Sequence, residues 1–206
     1  MNTHTPAPDS TPHADADAWA EPLFEQLLQG TLAPSAFEAK VSALWQQADI
    51  VSRAPRTAAR LCALAMQSGH ADGGYASDAP HLGFVSQWLA GTTGQPGAVH
   101  IQSPPEQYPD AGLARLNRPL HQHDSARIAL ITRGEAVFHV KRPTRQGHGV
   151  MAAYPVREGD LIVWPAWTAH TFHAGKGFWL VTAMEKFVSP GAEGFMLPIA
   201  PEDAPL

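Results

Sequence analysis

The chain has 206 residues, 44% of them hydrophobic, and a formal net charge of −5. That length fits one domain with an appendage, and the balance excludes a largely disordered chain and a basic nucleic-acid-binding surface. A single cysteine, Cys62, rules out an intramolecular disulfide; it falls in an apolar helical stretch, as a buried structural thiol would in a reducing cytoplasm.

In chain order, residues 1–17 are mostly Thr, Pro, Ala, Asp and His without apolar period, and read as a flexible tail. No signal-peptide pattern opens them, which predicts an unexported, cytoplasmic protein. Residues 18–94 read as a helical N-terminal extension. Trp19, Leu23, Leu27 and Leu28 share one helical face, and Phe37, Val41, Leu44 and Trp45 share another, after a capping-box pattern from Ser35 to Glu38. Leu61, Leu64 and Ala65 mark a third helix closing near Gly69. Leu82, Val85, Trp88 and Leu89 mark a fourth, with Asp78 as its cap, beyond a Gly- and Asp-rich loop from Gly69 to Ala79.

After Gly91 short strand-like runs take over: Ala98 to Ile101, Arg127 to Thr132, Glu135 to Lys141, Leu161 to Trp164 and Phe178 to Met184. No helix-length crossover separates them, so residues 95–206 read as an antiparallel sandwich or barrel. The longest apolar stretches, such as Leu161 to Trp164, fall far short of a membrane span, so no membrane partner is expected.

The candidate site lies in the histidines. His121-Gln122-His123 puts two imidazoles on one face of a strand, where both reach one metal. Gly134 follows eleven residues after His123, in Thr132-Arg133-Gly134-Glu135, which reads as a two-residue hairpin connection. On that register Ala129 lies opposite Phe138 and Ile128 opposite His139, so Ala129, Ile131, Phe138 and Val140 look inward and His139 outward. Gly159, Pro165 and His170 then place a turn, a strand, a loop and a third histidine in succession. His173 is expected to point away from His170, and His148, His4 and His13 to face solvent.

From about Arg115 to Ala174 the chain resembles the two motifs of the cupin superfamily, G(x)5HxH(x)3-4E(x)6G and G(x)5PxG(x)2H(x)3N. His121, His123, Gly134, Gly159, Pro165 and His170 match; Arg115, Arg127, Trp167 and Ala174 stand where the family has Gly, Glu, Gly and Asn. The resemblance implies a mostly β fold, a cupin double-stranded β-helix or jelly-roll barrel behind an α-helical N-terminal extension. It also implies His121, His123 and His170 as ligands of one divalent transition metal, with Fe(II) favoured and Ni, Zn, Mn or Cu as alternatives.

Arg127 cannot ligate a metal, so the site has three His or recruits Asp124, Glu135 or Glu185. Arg127 is the candidate catalytic residue, offering a planar fork to a carboxylate, enolate or superoxide if it enters the barrel; the competing account turns it to solvent or to a nearby acid. Tyr154 is a second candidate, as a polar contact in an apolar pocket. Trp167 could narrow the barrel mouth.

Three-His sites in this superfamily resemble those of thiol and diketone dioxygenases, which implies a mononuclear non-haem iron dioxygenase acting on a small anionic organic substrate. The length and helical extension also resemble the lyases that cleave dimethylsulfoniopropionate, implying a metal-dependent lyase or isomerase of a small carboxylate; the third reading is a non-catalytic small-molecule-binding cupin. Like many cupins, the chain is expected to form a homodimer.

Overall fold

The computed structural model describes residues 15–47, 49–68, 75–76, 85–92, 94–102, 116–117, 120–143, 149–174, 177–186 and 197–198. His4, His13, His148, Arg115, Asp78 and most of the predicted tail and loop lie outside these. Three helices come first: α1 (Asp17–Leu28), α2 (Pro34–Trp45) and α3 (Pro55–Ser68). Ala20, Leu23, Phe24 and Leu27 are the buried stripe of α1, and Phe37 and Val41 that of α2, as their spacing predicts. The start of α2 differs from the reading of the sequence. Ala33 is its cap residue and Pro34 occupies the first turn, with no side-chain cap, because a proline at that position needs no N–H partner and presets the helical φ.

Among the described residues the strands form two sheets. The larger has the order β1 (Val51–Arg53), β10 (Asp160–Trp164), β7 (Arg127–Arg133), β12 (Trp179–Met184), β4 (Gly97–Gln102), β3 (Val85–Ala90), β2 (Tyr75–Ala76). The smaller has the order β13 (Leu197–Pro198), β6 (His121–Gln122), β11 (His170–Ala174), β8 (Glu135–Pro143), β9 (Gly149–Arg157), with β5 (Leu116–Asn117) beside β6 along β11. All strand pairs named are antiparallel. The sheets pack face to face through aromatic rings, with Phe138 on β8 at 5.0 Å from Trp164 on β10.

Two expectations fail here. The fourth predicted helix is instead β3 over Val85–Ala90, paired with β4; Val85, Trp88 and Leu89 suit either period over so short a run, and an available sheet edge decided between them. The predicted hairpin between β7 and β8 is not one, since β7 pairs with β10 and β12 while β8 pairs with β9 and β11. Gly134 carries the chain from one sheet to the other at φ 77°, and a Cβ there would sit 3.1 Å from the Gly177 carbonyl oxygen. The face assignment survives this change of partner, because pleat parity depends on the strand itself and not on its neighbour.

The helices cover the outer face of the larger sheet, which explains why β7 is buried from Arg127 through Thr132. Ile128 and Leu130 face the helical layer; Arg127, Ala129 and Ile131 face the barrel interior. A strand covered on both sides shows no polar alternation. Strands β1 and β3, from the stretch read as a helical extension, belong to this sheet, and Arg53 on β1 ties to Asp160 on β10 at 2.6 Å. Asp17 on α1 caps α3: its Oδ1 accepts from the Thr57 N–H at 2.8 Å and the Thr57 hydroxyl at 2.7 Å, and its Oδ2 from the Arg56 N–H at 3.1 Å. Among the described residues no helix is long and apolar enough to cross a membrane.

Candidate metal centre

His121 stands on β6 directly opposite His170 at the start of β11, and His123 follows two residues on. Strand pairing thus converts a separation of some fifty residues into contact. The ring centroids lie 4.4 Å apart for His121 and His170, 5.0 Å for His121 and His123, and 5.0 Å for His123 and His170. All three are buried, and their ligand nitrogens lie within 4.8 Å of one another.

The loop before β11 sets the third histidine. Trp167 adopts a left-handed backbone, φ 60°, and its N–H donates to the His123 carbonyl at 2.6 Å. This is the position where the cupin motif has glycine, which explains the strain: the turn needs positive φ and this chain supplies it with a bulky residue. Trp167 is half exposed, on the surface. From Thr168 the carbonyl accepts a hydrogen bond from His170 Nδ1 at 2.7 Å. A carbonyl can only accept, so Nδ1 carries the proton and Nε2 keeps its lone pair for a metal.

The donor set fits a divalent transition metal. Imidazole nitrogens sit about 2.1 Å from such an ion, so two ligands of one ion are at most about 4.2 Å apart; a set within 4.8 Å closes onto it with shifts of roughly half an ångström. No carboxylate joins the group among the described residues. Glu135 is exposed at the start of β8, and Asp124 and Glu185 lie instead by Arg127, where their charges favour its protonated form.

Arg127 is directed into the barrel, being the Cα partner of Trp164, whose ring lies 4.6 Å from that of His170. It is 2% exposed, and its Nη1 donates to Ser125 Oγ at 2.9 Å. Burial lowers its pKa to about 9, against the pull of Asp124 and Glu185. Tyr154 faces the same side of the smaller sheet, opposite Phe138, but on the edge strand β9 with β8 between it and β11; it packs half-buried against the apolar cluster.

His139 and His173 share the outer face of the smaller sheet, rings 4.6 Å apart, away from the three-His group. Burial, and then His173, depress the pKa of His139. Cys62 is half-buried, its thiol pKa raised by burial.

Residues 103–197 match the family model of the AraC-like ligand binding domain. The barrel is a cupin-type domain. No curated protein matches the chain in sequence. Solved structures similar to this cupin-type domain include oxalate decarboxylase from Bacillus subtilis, 18% identical over 57% of this chain and 28% of that one, with a TM-score of 0.41. Vicilin from Corylus avellana is 14% identical over 51% of this chain and 27% of its own, with a TM-score of 0.39. An RmlC-like cupin from Shewanella frigidimarina is 17% identical over 50% of this chain and 76% of its own, with a TM-score of 0.36. The chain thus spans little more than a quarter of the decarboxylase chain.

Several residues of the site carried no signal in the sequence. Trp164, Ser125 and the Thr168 carbonyl reach it through strand pairing and loop conformation, neither of which has a motif. Positive φ at Trp167 could have been foreseen from the glycine it replaces.

Proposed function

We propose that this chain is a mononuclear metal-dependent cupin enzyme that takes a small organic anion at its metal and, with Fe(II), dioxygenates it. The observation that carries the reading is the convergence of three buried imidazoles, with no carboxylate joining them among the described residues. Three neutral ligands leave the charge of a divalent ion uncompensated, and Arg127, with Asp124 and Glu185 beside it, offers a guanidinium fork on the inward face. A small anion is the natural complement of that field, which the low dielectric of a buried site strengthens.

A metal bound there would supply a Lewis-acidic centre with open coordination positions and, as Fe(II), the capacity to react with O₂. The chain's own residues account for the rest. His170 is oriented by Thr168; Arg127, held by Ser125, pairs with the anionic end of the substrate. Phe138, Trp164 and Phe172 form an apolar wall that excludes water and takes the organic remainder. Tyr154 lies farther along the same wall, within range only of a longer substrate.

Elemental analysis of protein purified without added metal, paired with an oxygen electrode and a panel of small organic anions, tests the reading. One iron per chain and anion-dependent O₂ uptake are expected; tightly held zinc, or no metal, removes the oxygenase. The match to a ligand-binding family favours one second reading, a non-catalytic binding domain. In that case anions bind and His121→Ala weakens their binding, but no anion is turned over.

A further inference from the structure

The indole of Trp164 is buried, 3% exposed, and its Nε1–H has no hydrogen-bond partner among the described residues. Buried donors without acceptors are uncommon in folded proteins, and each calls for an explanation. The surroundings sharpen the question. The indole lies 4.6 Å from the His170 ring, 5.0 Å from Phe138 and 6.2 Å from Phe172. The two phenylalanines offer no acceptor. His170 has Nδ1 engaged by Thr168, and its other nitrogen belongs to the three-His group. Trp164 is also the Cα partner of Arg127, so an indole donor and a guanidinium project side by side from adjacent strands into the barrel.

We infer that Trp164 donates its indole N–H to the anion held at the three-His centre, and so selects ligands that present a second acceptor oxygen beside the atom bound to metal. This rests on the metal-centre reading above and deepens it, since it narrows the substrate class to carboxylates and related two-oxygen anions. A ligand that binds through one nitrogen, with no second acceptor, gains nothing from Trp164.

The test uses the whole chain loaded with Co(II), whose visible absorption reports ligand exchange, titrated with acetate and with imidazole. Trp164→Phe keeps an aromatic ring against His170 and removes the donor. Loss of a hydrogen bond to a charged acceptor predicts an acetate Kd weaker by about tenfold or more, with imidazole affinity and cobalt stoichiometry unchanged. Equal acetate affinity, or equal losses for both ligands, overturns the inference. A second measurement needs no variant: in the Zn(II)-loaded wild-type chain, acetate should move one of the six tryptophan indole N–H resonances downfield, and no movement also overturns it. If the wild-type chain takes up no more cobalt than His121→Ala does, the metal centre itself fails and the inference with it; normal uptake with acetate affinity indifferent to Trp164 removes the inference alone.

Discussion

Asp17 and Arg127 are both nearly hidden from solvent, at 1% and 2% exposure, on opposite sides of the larger sheet. In the helical layer the carboxylate of Asp17 receives three hydrogen bonds from the first turn of α3. Burial works against its charge, but those bonds and Arg56 overcome it and hold its pKa below the ordinary carboxylate value. For Arg127 the balance runs the other way. Ser125, Asp124 and Glu185 favour its charge, yet burial still pulls its pKa down to about 9. At Asp17 the hydrogen bonds outweigh burial; at Arg127 burial outweighs the charges beside it. Two buried charges in one fold thus differ in which influence sets their protonation, local hydrogen bonds or burial.

The largest effect expected from breaking this contrast lies at the ligands. His170→Ala should lower metal affinity by more than about a hundredfold, beyond the ~10–100-fold typical of an outer-shell loss; metal content after dialysis checks it. Some stability should be lost as well, because His170 is buried with its ring against Trp164 and Phe138 and alanine leaves a cavity there.

His100 comes next, on the larger sheet. It is 3% exposed with neither ring nitrogen partnered among the described residues, and burial lowers its pKa from 6.5 to about 4. Above pH 6.5 both folded and unfolded chains hold it neutral. Below that the unfolded chain takes up a proton that the folded chain refuses until about pH 4. Stability therefore falls as pH drops through this window, by about 3 kcal/mol at most, at ~1.4 kcal/mol per unit. His100→Leu should flatten the decline in urea titrations run between pH 7 and pH 4.

Asp17→Ala and Arg127→Met set the two buried charges side by side. Removing Asp17 strips the first turn of α3 of its acceptor and should cost about 2 kcal/mol, with metal content unchanged. Because its folded-state pKa is lowered, its contribution is present above the ordinary carboxylate pKa and is lost as pH falls through the folded value. Arg127→Met should change stability by no more than about 2 kcal/mol in either direction, because it removes a buried charge but also takes that charge from beside Asp124, whose Oδ1 is buried, while weakening acetate binding in the Co(II) titration. A large loss of stability in the arginine variant would make Arg127 a structural residue like Asp17. The smallest effect is at Trp167: Trp167→Gly relieves the left-handed strain and should stabilise the chain by about 0.5 kcal/mol, net of the added unfolded-state entropy, as calorimetry can resolve.

Much of the arrangement was legible in residue order. The stripes of α1, α2 and α3, five of the barrel strands and the inward parity of Phe138 and Val140 follow from periodicity, because a side chain's direction depends on its own backbone. Strand β9 was harder to see: Pro155 interrupts its pattern, and only an edge position tolerates that residue. β3 was misread because a six-residue stretch whose apolar residues are Val85, Trp88, Leu89 and Ala90 is too short to separate the two periods.

Within the candidate site, spacing and motif pointed to His121, His123 and His170, and to Arg127 as the departure from the motif. Pairing across sheets is not encoded in local order: which strand accepts β7 depends on the free energy of the assembled barrel. Tertiary structure alone therefore decided that β7 and β8 separate, that Trp164 comes to rest against His170 with an unanswered donor, and that Arg127 turns inward. Local backbone preferences determine elements and faces; contacts between residues far apart in the chain are settled only when burial selects one packing among many.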